Sequence, residues 1–271
     1  MAGRFGSGMT AGFIGLTLVT VGCGYDKANS ANDANSGNGN GYIAAPDVEA
    51  RVTRASGDLT QALATFRAQL GDPSNTIVGE QGAGRREINW DAVPATLTNL
   101  SNFPGDQFNR VVPRGQVFTT EGVGFRVSDN NLADLNPAYG NEFKAFSPTK
   151  IFIAVGSPII RVNFQVAGST TPARTSGFGV VFSDVDVAGS TSLAFFDAQG
   201  RLLKKVNAPV RSDANGHSFV GVTFSKPVVA RVRIIAGAAG ITGSNRDISA
   251  GGDADLVATD DFIAGEPHPI Q

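Results

Sequence analysis

Residues 160–166 read Ile-Arg-Val-Asn-Phe-Gln-Val, and their apolar side chains alternate with polar ones along the whole segment. A period of two residues is the spacing of a β-strand that buries one face and leaves the other in water. Similar alternation recurs in residues 178–182, 220–224 and 231–234, with Gly, Pro, Asn and Asp residues between the segments. Short strands separated by turn residues are typical of antiparallel sandwiches. We therefore predict an all-β fold, an antiparallel jelly-roll-like β-sandwich over residues 76–267.

The composition excludes several classes of protein. The chain has 271 residues, of which 41% are hydrophobic and 17% are charged, so it can bury a core. Its formal net charge is −2, which lacks the basic excess of a nucleic-acid-binding protein. One cysteine and two histidines are too few for a disulfide scaffold or a Cys/His zinc site. No strand–helix alternation is present, which argues against a nucleotide-binding α/β fold.

The N-terminal residues predict export. An apolar segment at residues 11–21 follows Arg4, which is the arrangement of a signal peptide. We assign this signal peptide to residues 1–22. Thr20-Val21-Gly22-Cys23 resembles the lipobox of bacterial lipoproteins, which implies that Cys23 carries lipid. An ordinary cleaved signal peptide and an uncleaved anchor are the alternatives. Residues 23–46 are rich in Asn, Gly and Ser and have few apolar side chains, which favours a flexible tether to a domain in the bacterial cell envelope.

A helix is predicted between the tether and the sandwich. Apolar residues of segment 47–71 recur at steps of three and four, the spacing of one helical face. Residues 56–58, Ser-Gly-Asp, could kink this amphipathic helix or divide it in two. Its apolar stripe would pack on its own domain or on a partner protein.

Three motifs resemble an uncharacterised family of exported bacterial proteins. They are Gly-Arg-Arg-Glu-Ile-Asn-Trp-Asp at 84–91, Gly-Phe-Gly-Val-Val-Phe-Ser-Asp-Val-Asp at 177–186 and Asp-Asp-Phe-Ile-Ala-Gly-Glu-Pro at 260–267. More loosely, they are similar to the sandwich domains of PEP-CTERM surface proteins. The resemblance implies an extracytoplasmic β-sandwich, and it implies no activity.

Carboxylates in these motifs are candidate ligands of a structural Ca²⁺, because hard cations prefer several oxygen ligands. The candidate metal ligands are Asp91, Asp184, Asp186, Asp260 and Asp261. First and last strands of a sandwich commonly pair, which would bring Asp91 close to the 260–261 pair. The alternative is that these acids cap turns by accepting backbone N–H bonds. Asp253 and Asp255, in a Gly-rich loop, are lesser candidates.

Few residues are candidates for ligand binding or catalysis. Trp90 and Tyr139 could stack on a sugar, although a single Trp on a first strand is also typical of a core. Residues 128–146 form a long polar stretch, the place where binding sites are common on a rigid sandwich. Glu87 and Asp91 could form the acid pair of a glycosidase. No nucleophile motif lies near either histidine, which argues against Ser-His-Asp chemistry. We expect no catalytic residues.

These observations favour a non-enzymatic surface module, lipid-anchored outside the cytoplasm, that binds glycan or another envelope component. A structural or adhesion protein with a protein partner is the alternative, and a carbohydrate-active enzyme is less favoured. We expect membrane contact through the lipid alone and no nucleic-acid partner.

Overall fold

A computed structural model describes residues 1–3, 48–213 and 216–271 of the chain. The predicted tether, Cys23 and all but the first three residues of the predicted signal peptide lie outside these residues. No helix in the described ranges combines the length and the apolar character needed to cross a membrane.

Strands dominate the described part of the chain. They are β1 (Ala50–Ser56), β2 (Arg85–Ile88), β3 (Gln116–Thr120), β4 (Gly124–Ser128), β5 (Ile151–Val155), β6 (Ile159–Phe164), β7 (Ala173–Arg174), β8 (Gly177–Ser183), β9 (Ser192–Phe196), β10 (Leu202–Asn207), β11 (His217–Phe224), β12 (Arg231–Ile235), β13 (Ala258–Gly265) and β14 (His268–Pro269). The helices are α1 (Thr60–Leu70), α2 (Gln107–Arg110) and α3 (Tyr139–Glu142), with a 3-10 turn at Ala95–Leu97.

The strands form two main antiparallel sheets. The large sheet has the order β1-β11-β8-β13-β5-β4, with β2 also paired to β13. The small sheet has the order β10-β9-β12-β6-β3, and β14 pairs with β7 in a separate ribbon. Aromatic rings join the two sheets across the interior, as where Phe118 of β3 meets Phe262 of β13 with ring centroids 5.7 Å apart. The predicted all-β antiparallel sandwich is confirmed.

Trp90 lies at the centre of this interior. Its ring stacks on Phe152 with centroids 3.9 Å apart and planes 8° from parallel. The indole Nε1 donates a hydrogen bond to the carbonyl oxygen of Asp260 at 3.1 Å, so its one polar group is satisfied although the side chain is buried. The single tryptophan therefore ties the segment after β2 to β13.

The predicted helix over 47–71 is wrong in its first half. Residues 50–56 form β1, which pairs with β11 over its whole length, and only Thr60–Leu70 is helical. A short apolar pattern with β-branched residues is compatible with a helix or a strand. Residues 50–56 form a strand because they pair with the edge of β11. Gly57, with φ +83°, separates the strand from the helix. The sandwich consequently begins near residue 50 rather than residue 76.

Helix α1 packs on the outer face of the large sheet. Its buried face includes Leu63, Phe66 and Leu70. The ring of Phe66 lies over Gly179 of β8 and Gly221 of β11, which stand directly opposite each other in the sheet. A Cβ at Gly221 would lie 2.6 Å from that ring, so the glycine pair creates the space into which the helix packs. The apolar face of α1 is thus covered by its own domain.

A buried ion pair joins two of the three motifs, 84–91 and 260–267. Arg86 of β2 and Glu266, just after β13, are joined by two hydrogen bonds, from Nε to Oε2 at 2.9 Å and from Nη2 to Oε1 at 2.7 Å. Their side chains are 0% and 1% exposed. Carbonyl oxygens of Ile77, Gly79 and Pro113 accept the remaining guanidinium protons. This pair fastens β2 and its preceding loops to the last long strand.

Candidate metal centre

Asp184 is the most unusual carboxylate in the described structure. It directly follows β8 and has φ +71°, a left-handed conformation that few residues other than glycine adopt. Its backbone N–H donates to the carbonyl oxygen of Gly216 at 2.9 Å, which holds the chain in this turn. The residue is 0% exposed, and neither carboxylate oxygen has a hydrogen-bond partner among the described residues. Burying an unpaired carboxylate is costly, so Asp184 either keeps its proton or takes a compensating cation.

Four further acids surround Asp184. One oxygen each from Glu142, Asp184 and Asp247 lie within 4.8 Å of one another, and the same holds for Asp186, Asp247 and Asp255. Asp247 belongs to both groups, so the five side chains form one cluster, which we call the acidic cluster.

Three connections at the same end of the sandwich supply the acidic cluster. Glu142 ends α3, in the segment between β4 and β5, and Asp184 and Asp186 lie in the loop from β8 to β9. Asp247 and Asp255 lie in the loop from β12 to β13. The cluster therefore joins segments that are distant in the sequence.

Backbone groups fix the carboxylate of Asp247. Its two oxygens accept the N–H groups of Ser249 and Leu256, each at 2.7 Å. The hydroxyl of Ser249 donates to Glu142 at 2.6 Å, which connects α3 to this loop. A ligand set held in this way needs little rearrangement to bind an ion.

Asp255 is fixed from the neighbouring loop. Its carboxylate accepts the backbone N–H of Asp186 at 3.3 Å and that of Val187 at 3.0 Å. The hydroxyl of Ser190 donates a third hydrogen bond to it. One side chain thus connects the loop after β8 with the loop before β13.

The acidic cluster lacks positive charge. No arginine or lysine forms an ion pair with any of its five members within the described ranges. Burial and the neighbouring carboxylates raise the pKa of Asp184 to about 8 and that of Asp186 to about 6. Burial also raises the pKa of Asp255. A divalent cation would relieve both the burial cost and the mutual repulsion.

The donor set indicates the kind of ion. All five side chains offer carboxylate oxygen, and neither His nor Cys belongs to the described groups. Oxygen-only sets with many carboxylates and flexible geometry suit Ca²⁺, whereas Zn²⁺ prefers nitrogen and sulfur ligands.

The structure brings together two of the five predicted metal ligands, Asp184 and Asp186. Asp91 lies elsewhere, where its carboxylate accepts the backbone N–H groups of Thr149 and Lys150. Strands β2 and β13 do pair as expected, but residues 146–150 lie beside them and saturate the acids with hydrogen bonds. Asp91 belongs to neither of the acid groups in the described structure that could hold an ion, and the turn-capping alternative describes its contacts.

Asp260 and Asp261, the other two predicted ligands, form a hydrogen-bonded acid pair instead. The backbone N–H of Phe146 donates to Asp260 at 2.6 Å. The hydroxyl of Ser147 donates to Asp261 at 2.8 Å and contacts Asp260 at 3.2 Å. Burial and the adjacent charge of Asp261 raise the pKa of Asp260 to about 9, so Asp260 keeps a proton at neutral pH. Neither Asp260 nor Asp261 belongs to the acidic cluster, and hydrogen bonds from residues 146–147 occupy their oxygens, so the capping alternative describes this pair.

Trp90 and Tyr139 are not stacking surfaces, because each is only 1% exposed. Tyr139 instead supports the acidic cluster: its hydroxyl donates to the carbonyl oxygens of Thr242, at 2.7 Å, and Asn245, at 2.8 Å, as alternative acceptors. This contact links α3 to the loop that carries Asp247. Burial and the charge of Asp247 raise the pKa of Tyr139 to about 12, so its hydroxyl stays a donor.

Glu87 does not fit the acid of a glycosidase pair. Burial alone would raise its pKa, but hydrogen bonds and charges from Arg67 and Arg85 lower the pKa overall. Arg67 contacts the carboxylate at 2.9 Å and Arg85 at 2.6 Å. The carboxylate therefore remains ionised and occupied by its two partners.

The sequence interpretation missed Glu142 and Asp247. The sequence contains a signal for Asp247, because this residue opens the Gly-rich, acidic loop that also contains Asp253 and Asp255. Asp253 itself is exposed and lies outside the cluster. Glu142 lies in the polar stretch 128–146, where a ligand site was expected, but nothing in that stretch distinguishes it from its neighbours.

Comparisons with known proteins give little further information. No protein-family model matches the chain, and no curated protein matches it in sequence. Among solved structures, the enzymatically active domain of tailspike protein 4 from bacteriophage CBA120 is similar over 66% of this chain at 14% identity, with a TM-score of 0.24. The match covers 22% of that chain. A similarity at this level carries no argument about function, and the resemblance to an exported bacterial family stays a prediction.

Proposed function

We propose that the chain is a calcium-binding, non-enzymatic surface module of the bacterial cell envelope. In this proposal it is exported by residues 1–22, anchored by lipid on Cys23, and binds glycan or another envelope component. The observation that carries the proposal is Asp184, fully buried and without a partner among four other carboxylates.

A bound calcium ion would have a structural effect. It would hold three loops together that otherwise repel one another through ionised acids at the same end of the sandwich. Calcium sites of extracellular modules commonly have dissociation constants of about 10⁻⁴–10⁻³ M. Such an affinity suits an exported domain, because it would be loaded outside the cell and empty inside it.

Isothermal titration of the full chain tests the calcium site. We expect saturable binding of Ca²⁺, and much weaker binding of Mg²⁺, since Mg²⁺ loses its water ligands reluctantly. Absence of heat and of any stabilisation with Ca²⁺ would contradict the proposal.

Metabolic labelling in a bacterial host tests the anchor. The full chain should incorporate labelled palmitate, and Cys23→Ala should abolish the incorporation. Equal labelling of the two chains, or labelling of neither, would remove the lipid anchor from the proposal and leave the calcium site untouched.

A further inference from the structure

The outer face of the small sheet differs from that of the large sheet. The large sheet is covered on the outside by α1 and by an apolar cluster that includes residues of α3 and of the loop before β13. In the described structure the remaining apolar cluster is the sandwich interior, so no apolar cluster covers the small sheet from outside. The outer side of the small sheet instead carries a cationic face, defined by Arg161, Phe196, Lys205, Arg231 and Arg233.

Strand register arranges these cations in a row. Arg233 of β12 stands directly opposite Arg161 of β6 on one side and Ala194 of β9 on the other. Ala194 in turn faces Lys205 of β10. Opposite residues of antiparallel strands point to the same face, and the buried neighbours Val162 and Val232 fix the other face as the interior. Because adjacent strands lie about 4.8 Å apart, the row holds like charges at close range.

Like charges placed directly opposite each other destabilise a sheet. Arg161 is partly neutralised by an ion pair with Glu121. Within the described ranges, Arg231, Arg233 and Lys205 have no carboxylate partner. The Nε of Arg233 is buried and has no hydrogen-bond acceptor. The arrangement therefore costs stability, which an anion paired with these guanidinium and ammonium groups would recover.

An aromatic ring lies between the arginines. Phe196 stands opposite Arg231, whose guanidinium carbon is 4.7 Å from the ring centroid, and the corresponding distance for Arg233 is 5.8 Å. These cation–π contacts hold the guanidinium groups in place. The half-buried ring also adds an apolar platform beside the charges.

We propose that the cationic face binds an acidic polysaccharide that carries carboxylate groups. This inference names the class of partner for the proposed function. It rests on that function for the location of the protein in the envelope. Guanidinium groups bind carboxylates through paired hydrogen bonds, and the C–H face of a sugar packs on an aromatic ring. A row of cations across a sheet suits a polymer with repeated negative charges, whereas a neutral glycan would leave these charges unpaired.

Hyaluronan is a suitable probe, because it carries one carboxylate per disaccharide. Binding of the full chain to immobilised hyaluronan is measured in calcium, with neutral dextran as the control polymer. We expect saturable binding that weakens with salt. Arg231→Gln with Arg233→Gln should reduce the affinity at least about tenfold, since hydrogen bonds to charged groups are involved. Arg51→Gln with Lys226→Gln removes two positive charges elsewhere and should leave the affinity unchanged.

Thermal unfolding of the same samples separates this inference from the calcium proposal. A chain that calcium stabilises but that ignores hyaluronan would overturn the cationic face as the binding site. Retained affinity in the Arg231/Arg233 variant, or equal binding to dextran, would overturn it as well. A further variant, Phe196→Ala, should fold and bind more weakly, and unchanged binding by it would count against the ring platform.

Discussion

Replacing Asp184 with Asn tests the acidic cluster at its most buried carboxylate. The variant keeps the shape of the side chain and removes its charge. In the absence of metal, the pKa of Asp184 is raised from 3.8 to about 8. A raised carboxylate pKa means that stability is present below pH 3.8 and is lost as the pH rises towards 8.

The structure gives the magnitude of this effect. At pH 7 the loss amounts to at most about 4 kcal/mol, at about 1.4 kcal/mol per pH unit. The amide introduced by Asp184→Asn still lacks hydrogen-bond partners, which costs about 1–3 kcal/mol. In EDTA the variant should therefore be more stable than the wild type by about 2 kcal/mol, or about 4–8 °C in Tm.

Calcium should reverse the order. An ion at one hundred times its dissociation constant stabilises the wild type by about 2.7 kcal/mol, or about 5–10 °C. The Asp184→Asn variant should gain almost nothing, because it lacks one carboxylate of the group formed by Glu142, Asp184 and Asp247.

Scanning calorimetry in EDTA and in calcium measures both effects. Asp91→Asn is the matched control, since Asp91 accepts backbone hydrogen bonds away from the cluster and its variant should respond to calcium as the wild type does. The reasoning is refuted if Asp184→Asn keeps the full calcium response, or if Asp91→Asn loses it.

Three further predictions concern the fold. Because burial and Asp261 raise the pKa of Asp260 to about 9, the stability of the wild type should fall between pH 4 and pH 9. Asp260→Asn should remove up to about 1.4 kcal/mol per pH unit of this fall, measured as the free energy of unfolding in urea. Equal pH slopes for the two chains would contradict the assignment of the proton to Asp260. Glu266→Gln leaves Arg86 charged and unpaired in the interior, so the free energy of unfolding should drop by about 3–5 kcal/mol; a drop below about 1 kcal/mol, the level of an exposed pair, would show that the pair is not buried. Gly221→Ala should cost about 1–3 kcal/mol, because the added methyl group meets the ring of Phe66; an unchanged urea midpoint would mean that α1 does not pack there.

Sequence patterns predict the sandwich because each strand carries its own period of two. The same local reasoning fails at residues 50–56, where apolar residues fit both a helix and a strand. Pairing with β11, a segment distant in the sequence, decides the outcome there. A local pattern contains no information on such a partner.

The acidic cluster shows the same division. Asp184 and Asp186 stand out in the sequence because two acids follow an apolar strand at its end. Their grouping with Glu142 depends on α3, a helix of a single turn whose position is fixed by the buried ring of Tyr139. Conversely, Asp260 looked like a ligand, and only the donors of residues 146–147 show that its oxygens are already satisfied.

Anomalous diffraction from crystals of the chain grown in calcium tests the central claim most directly. The account predicts an anomalous difference peak among the carboxylates of Asp184, Asp247 and Glu142, with oxygen ligands about 2.3–2.6 Å away. A map without a peak in the acidic cluster, from crystals saturated with calcium, would contradict it.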